Sequence, residues 1–171
     1  MIAKLIVEGK EFSIEIQDPE LQKLLVSQKK TGYERVESGE EFWCVDFTGG
    51  IRVAHEGCNG PDFTENGIYK SANYYSDISV AQNNARADKL MRQLRRFAVE
   101  HRKSELNWSD NTHNKYYIHY IRRENKLDIG YVIYCRDFGS IYFDTKEAAE
   151  SALITFKDEL TWYFTEYKDS L

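Results

Sequence analysis

The segment from residue 79 to residue 105 limits the fold more than any other part of the chain, because its apolar residues recur with the period of an α-helix. At about 100° per residue they fall on one stripe, which predicts an amphipathic helix docked on a core. The stripe comprises Val80, Ala87, Leu90, Met91, Leu94, Phe97, Ala98 and His101. The opposite face is predicted to carry Lys89, Arg92, Arg96 and Lys103.

Charge sets this helix apart from the rest of the sequence. The segment holds seven basic residues against three acids, in a chain whose formal net charge is -5. The first 78 residues carry fourteen acids and eight bases, and the chain from Asp144 onward carries seven acids and three bases. The sequence therefore predicts a cationic island between two acidic regions.

The first thirty residues predict a small unit of their own. Residues 2–16 alternate between apolar and polar side chains around a Gly-Lys turn, which is typical of a β-hairpin. Asp18 and Pro19 then have the character of a helix start, and a short helix is expected up to about Gln28.

A second hairpin precedes the basic helix. Its strands are predicted at residues 42–47 and 51–57, on either side of a glycine turn. The turn-rich segment 58–67 is expected to be a surface loop, and residues 69–75 a brief extended stretch.

A third unit follows a polar linker at residues 104–114. Strands are predicted at 115–123 and 129–138, with a short third strand at 140–143. The sequence Asp-Thr-Lys-Glu then marks the start of a last helix, over residues 144–168, with acidic residues placed well against the helix dipole.

The predicted fold class is α+β, with antiparallel hairpins each followed by a helix packed on one sheet face. The predicted units are 1–31 (hairpin and short helix), 32–104 (ββα with the basic helix) and 115–171 (βββα with an acidic C-terminal helix). We expect a single domain with two sub-lobes, divided near residues 104–114. The last two units share a plan in which aromatic strands, an aromatic pair and a polar cap lead into a long helix.

Composition favours a protein of the reducing cytoplasm. No window is apolar enough for a signal peptide or a membrane span. The three cysteines, Cys44, Cys58 and Cys135, are widely spaced without a CxxC pair, which predicts reduced thiols and neither a disulfide framework nor a zinc site.

Residue patterns for catalysis are missing from the sequence. The four histidines (His55, His101, His113 and His119) have no ligand spacing, and no nucleophile elbow or phosphate-cradling loop is present. His101 is expected to be a half-buried packing residue, and the thiols of Cys44 and Cys135 to be buried in strands. We therefore predict no catalytic residue, no metal and no cofactor.

The charged faces each allow two interpretations. The basic face is either a solvated helix surface or an anion site for phosphates or for an acidic protein. Acidic residues are frequent in the predicted unit 32–104. They either keep the protein soluble or mimic the phosphates of DNA. The candidate acidic site is Glu37, Glu40, Glu41 and Asp46.

Two tryptophans are candidate interface anchors. Trp162 falls off the apolar stripe of the last helix, and Trp108 lies in the linker. Each can instead pack against the other lobe or against a second copy of the chain, so a homodimer is an alternative.

Two long segments carry a resemblance to a known group. The first segment reads GYERVESGEEFWCVDFTGGIR and continues after a loop with YKSANYYSDISVAQNNARADKLMRQLRRFAVEH. The second segment reads KYYIHYIRRENKLDIGYVIYCRDFGSIYFDTKEAAESALITFKDEL. The chain from about residue 32 to 168 resembles small accessory proteins of phages and prophages of Gram-positive bacteria. Several small phage proteins of this sort inhibit bacterial immunity, including CRISPR effectors.

The resemblance implies a non-structural phage gene product that acts in the infected cell. Together with the missing catalytic pattern and the segregated charges, it predicts a non-enzymatic protein that binds and inhibits or redirects a host protein in the host-cell cytoplasm. Two alternatives from other classes remain. One is a sponge that sequesters a nucleotide second messenger beside the basic helix. The other is a nucleic-acid-binding protein that uses Lys89, Arg92, Arg96 and Lys103.

Overall fold

A computed structural model describes residues 2–7, 10–15, 17–18, 30–57 and 65–167 of the chain. The protein is α+β, as predicted, and the described residues form three two-stranded hairpins with helices between and after them. No described helix is long and apolar enough to cross a membrane. The predicted short helix near residues 18–28 lies outside the described residues.

The amino-terminal hairpin matches its prediction. Strand β1 (Ile2–Val7) pairs with β2 (Lys10–Glu15), with Ile2 opposite Glu15 and Val7 opposite Lys10. Lys10, which was predicted to belong to the turn, is the first residue of β2, and residues 8–9 lie outside the described residues.

The chain divides into two compact units. The first contains the described residues up to Cys44 and residues 53–78, and the second contains residues 45–52 and the chain from Ser79 onward. The division therefore falls between Ile78 and Ser79, and not in the predicted linker at 104–114. The physical reason is that the basic helix shares one hydrophobic core with the carboxyl-terminal elements.

The first unit contains a short helix and residues 41–44 and 53–55 of a hairpin, whose residues 45–52 belong to the second unit. Strands β3 (Glu41–Val45) and β4 (Ile51–His55) lie where the sequence predicts them. Helix α1 (Glu65–Lys70) occupies the end of the predicted loop and the start of the predicted extended stretch, so these predictions are wrong at residues 65–67 and 69–70, while residues 58–64 lie outside the described residues. The helix begins at Glu65, whose carboxylate accepts a hydrogen bond from the Gly57 N–H at 3.1 Å.

The buried centre of the first unit is a polar network on an aromatic stack. The rings of Phe42 and Tyr74 stack with their centroids 4.2 Å apart. The Tyr74 hydroxyl donates to the buried carboxylate of Glu56 at 2.9 Å, and Arg35 donates to the same carboxylate through Nε at 2.9 Å. Burial, followed by the hydrogen bond to the Glu56 carboxylate, raises the pKa of Tyr74 to about 12.

Glu56→Ala removes the shared acceptor of this network and leaves the Tyr74 hydroxyl and the Arg35 guanidinium without it. We expect a loss of about 2 kcal/mol in the free energy of unfolding, since a buried donor without a partner costs about 1–3 kcal/mol. Urea denaturation followed by circular dichroism measures this loss. Glu37→Ala, at an exposed position, is the control, and an equal loss in both variants would contradict the prediction.

The second unit contains the long basic helix and the carboxyl-terminal half of the chain. Helix α2 (Ile78–Glu100) precedes strands β5 (Lys115–Ile121) and β6 (Lys126–Val132), which form a hairpin around a 3₁₀ turn. Helix α3 (Lys146–Thr155) starts at the N-cap Thr145, whose hydroxyl accepts from the Ala148 N–H at 3.2 Å. Helix α4 (Lys157–Trp162) and a π-helical turn (Tyr163–Tyr167) follow.

One hydrophobic cluster holds these elements together. Its buried members come from α2, from the segment before α3 and from α3 and α4. They are Leu90, Leu94, Ala98, Phe143, Ala148, Ala149, Ala152 and Leu160. The apolar stripe predicted for the basic helix is thus a core face.

Three predictions for the second unit are wrong in detail. The continuous last helix is interrupted at Phe156, which has a non-helical ψ of 19°. The predicted third strand at 140–143 is a single β-bridge between Tyr116 and Phe143. Strand β6 ends at Val132, so Cys135 lies in an exposed loop and its thiol is not buried, unlike that of Cys44.

The two units contain the same arrangement of a hairpin strand, an aromatic pair and a helix, as the sequence predicts. In each, the first strand of a hairpin forms a single antiparallel bridge with an aromatic residue three positions before a helix, Trp43 with Tyr75 and Tyr116 with Phe143. The preceding tyrosine is buried, and its hydroxyl accepts a backbone N–H at 3.2 Å (Tyr74) or 2.8 Å (Tyr142).

Lys115 is a buried cation at the base of the β5–β6 hairpin. Its side chain is only 1% exposed, and its ammonium donates to the carbonyls of Asp110 at 2.6 Å and Ile133 at 2.9 Å. The same ammonium lies 5.7 Å from the ring centre of Trp108. Lys115 therefore ties the segment before the hairpin to the loop after it.

Lys115→Met keeps the aliphatic stem and deletes the ammonium, which leaves both carbonyls without their donor. We expect a destabilisation of about 1–3 kcal/mol, because the desolvation penalty of these carbonyls is no longer offset. Thermal and urea denaturation measure it. Lys146→Met, at an exposed position, serves as the control. If Lys115→Met were as stable as the parent protein, the structural role of the Lys115 ammonium would be contradicted.

Candidate binding surfaces

Three cations form an exposed row on α2. Lys89, Arg92 and Arg96 follow one another at spacings of three and four residues, so they share a helix face, and all three are exposed. We call these three residues the basic stripe. Val99, which is 62% exposed, continues the same face.

Lys103 does not belong to the basic stripe, contrary to the prediction. Helix α2 ends at Glu100, and the backbone N–H groups of Lys103 and Ser104 donate to the Asp144 carboxylate at 2.7 Å and 2.8 Å. These contacts turn the chain away from the helical path, so a spacing argument based on a longer helix fails.

The basic stripe is weakly neutralised. Arg96 lies 3.7 Å from Glu100, and both side chains are exposed, so this ion pair contributes little. Among the residues that the structure describes, Lys89 and Arg92 form no ion pair within 4.0 Å.

Arg86, on another face of α2, is fully engaged within the unit. Its guanidinium binds the Glu159 carboxylate at 2.8 Å and 3.1 Å and lies 3.9 Å from the centre of the Trp162 ring. The pKa of Glu159 is lowered, chiefly by this hydrogen bond. Arg86 is therefore a structural cation.

The tip of the β3–β4 hairpin lies against the basic stripe. A Cβ on Gly49 would be 3.5 Å from Nη2 of Arg92, so the guanidinium packs on the backbone of this turn. Gly49 has a φ of +88°, which favours glycine. Phe47, on the same turn, is 94% exposed. Phe47 and the basic stripe together form the basic-aromatic surface.

Asp46 organises this turn. Its carboxylate accepts from the Thr48 hydroxyl at 2.6 Å, the Thr48 N–H at 2.8 Å and the Gly50 N–H at 2.9 Å, and Arg52 lies 3.3 Å away. The Thr48 hydrogen bond, followed by that from Gly50, lowers the pKa of Asp46 to about 2.

The four candidate acids do not have a common role. Asp46 is committed to its turn and belongs to the second unit, whereas Glu37, Glu40 and Glu41 belong to the first and are exposed. Glu40 accepts from the Glu37 N–H at 3.0 Å, and Glu41 lies 3.7 Å from His55. Nearby acids are likewise engaged in internal contacts, including Glu34, Glu56 and Glu65.

Neither tryptophan is a free anchor. Trp162 is only 7% exposed and lies beneath Arg86. Trp108 is partly buried, meets the edge of Tyr142 at 4.9 Å between ring centres, and has Arg136 5.6 Å from its ring centre. Both side chains pack within the second unit.

The histidines serve local contacts. His101 is exposed, unlike the half-buried residue predicted, and it stacks on Phe97 with ring centres 3.7 Å apart. His113 contacts Asp110 at 2.8 Å. Within the described ranges, no group of three His, Cys, Asp or Glu residues is arranged to hold a metal ion.

An apolar groove in the second unit has no counterpart in the sequence analysis. It has a volume of about 350 Å³ and lies among α2, strand β5, the 138–141 loop and the carboxyl-terminal turn. Its lining residues are mostly apolar. They are Leu90, Met91, Leu94, Tyr117, Ile118, His119, Phe138, Gly139, Ser140, Ile141, Phe143, Leu160, Tyr163 and Phe164.

A second, shallower cavity of about 480 Å³ shares the 138–141 loop with this groove. Its remaining lining residues are charged, namely Arg95, Arg136 and Asp137. The residues of the two cavities come from four segments between positions 90 and 164, with Arg95 and Arg136 41 positions apart, and no single window of sequence contains them.

Comparisons of the chain with protein-family models, with curated proteins and with solved structures found no match.

Asp46→Asn tests the electrostatic role of the hairpin tip. Because the pKa of Asp46 in the folded protein lies below its usual value of 3.8, the ionised carboxylate stabilises the folded state above about pH 4. This contribution is lost as the pH falls toward 2. We expect Asp46→Asn to lower the urea midpoint at pH 6, and the difference from the parent protein to narrow as the pH falls below about 4 and to be largely lost only at pH 2 and below. A difference that stays constant with pH would contradict this.

Proposed function

We propose that this protein is a non-enzymatic binding protein of the phage-accessory kind, which docks its basic-aromatic surface on an acidic surface of a host protein. In this proposal it inhibits or redirects that host protein in the host-cell cytoplasm. The resemblance to phage accessory proteins suggests a component of bacterial immunity, such as a CRISPR effector, as the target.

The observation that carries the proposal is the exposed basic stripe beside an exposed phenylalanine. Phe47 is almost wholly accessible, and Arg92 packs on the turn that carries it. Arginine and aromatic residues are enriched at the energetic centres of protein interfaces. A cluster of this kind fits a partner with carboxylates around an apolar pocket.

A protein partner fits this surface better than nucleic acid does. Lys89 and Arg96 are seven residues apart on the helix, so the basic stripe spans only about 10 Å. Few phosphates can be contacted over that length, and phosphate contacts dominate nucleic-acid affinity. The formal net charge of -5 adds long-range repulsion from a polyanion. A compact acidic protein surface does not require an extended cationic track.

Charge reversal at Arg92 tests the proposal. The parent protein is first used to capture its partner from an extract of a Gram-positive host, and the partner is then purified. We expect Arg92→Glu and Phe47→Ala each to weaken binding to this partner at least tenfold, which is about 1.4 kcal/mol. The control is Arg123→Glu, which makes the same charge change at a side chain that is 90% exposed on the β5–β6 turn.

A cellular assay tests the inhibitory role. In a host with an active CRISPR effector, expression of the parent protein and of Arg123→Glu should reduce plasmid interference, and expression of Arg92→Glu should not. Equal binding by Arg92→Glu and the parent protein would overturn the assigned surface. Salt-dependent binding of oligonucleotides that Arg92→Glu abolishes, without a protein partner, would replace the proposal with nucleic-acid binding.

A further inference from the structure

The apolar groove of the second unit has the dimensions of a small-molecule site. Its volume of about 350 Å³ lies within the range of known ligand pockets, which begins near 300 Å³. The buried side chains of Leu90, Leu94 and Leu160 contribute to its lining, and Tyr117, Tyr163 and Phe164 add aromatic rings. Such surroundings favour a planar ring over a flexible chain, since flat groups stack on aromatic walls.

Polar groups also line this groove. Ser140 supplies a hydroxyl and His119 a ring nitrogen pair, both of which can hydrogen-bond the edge of a heterocycle. Phe138 lines the groove and is nevertheless fully exposed. An exposed aromatic ring beside an apolar groove is a surface that a bound ring would cover.

The adjoining cavity is suited to an anion. Arg95 from α2 and Arg136 from the loop after β6 both line it, against the single carboxylate of Asp137. Neither arginine forms an ion pair within 4.0 Å in the part of the chain that the structure describes. Guanidinium groups bind phosphate oxygens in a bidentate manner, and two of them leave a net positive charge here.

We propose that the groove and the adjoining cavity together bind an aromatic phosphate of mononucleotide size, with the base in the apolar groove and the phosphate between Arg95 and Arg136. The 138–141 loop lines both cavities, which places the two halves of the site next to each other. This site is separate from the basic-aromatic surface, so it can fail or hold independently of the proposed function.

Isothermal titration calorimetry with four probes, AMP, GMP, CMP and UMP, tests binding to the full chain. We expect saturable one-to-one binding of at least one of them below about 1 mM. Adenosine tests the apolar groove alone, and inorganic phosphate tests the adjoining cavity alone. Each should bind at least tenfold more weakly than the best nucleotide. If none of the four nucleotides binds, or if phosphate alone binds as tightly, the proposal is overturned.

Two substitutions locate the site, because they are expected to change nucleotide binding in opposite directions. Arg95→Gln should weaken nucleotide binding about tenfold through loss of a charge-assisted hydrogen bond. Asp137→Asn should tighten binding several-fold, because it removes the like charge, and a merely structural defect would not do so. Arg123→Gln, the control, should leave binding unchanged, and Arg136→Gln replaces Arg95→Gln if that variant does not fold. Equal losses in Arg95→Gln and Arg123→Gln, or weaker binding by Asp137→Asn, would overturn the assignment.

Discussion

The second unit depends on one short contact, the β-bridge between Tyr116 and Phe143. Each residue donates its backbone N–H to the carbonyl of the other, at 2.9 Å and 2.8 Å. The bridge attaches the segment before α3 to the β5–β6 hairpin and places the Phe143 side chain, which is 2% exposed, in the core beside Leu90 and Ala149. Because Thr145 caps α3 two residues later, the same contact fixes where that helix begins.

Most of the elements could be predicted from the sequence, since hairpins and amphipathic helices leave local patterns. The end of β6 could not. The segment 133–138 reads as a strand, but the carbonyl of Ile133 accepts from the buried ammonium of Lys115, eighteen positions earlier, beyond the paired strand. A contact of this kind competes with strand continuation and leaves no periodic signal. The exposure of Cys135 follows from it.

The candidate surfaces were likewise predicted from local spacing only where no long-range contact intervenes. Helical spacing was sufficient to place Lys89, Arg92 and Arg96 on one exposed face, but it extended that face to Lys103. The carboxylate of Asp144, forty-one positions away, captures the Lys103 N–H after the helix has ended. The apolar groove and the cavity of Arg95 and Arg136 arise where separate segments meet, so no single window of sequence contains them.

Helix α2 links the core to both proposed sites because its faces have different tasks. Leu90 and Leu94 contribute to the core and to the lining of the groove, Arg95 reaches the adjoining cavity, and Arg92 and Arg96 remain on the exposed basic stripe. A helix fixed by a shared core holds such side chains at constant spacing, which a loop would do only at an entropic cost. The proposed binding surfaces therefore need no separate scaffold, because the helix that contributes to the core also orients the cations.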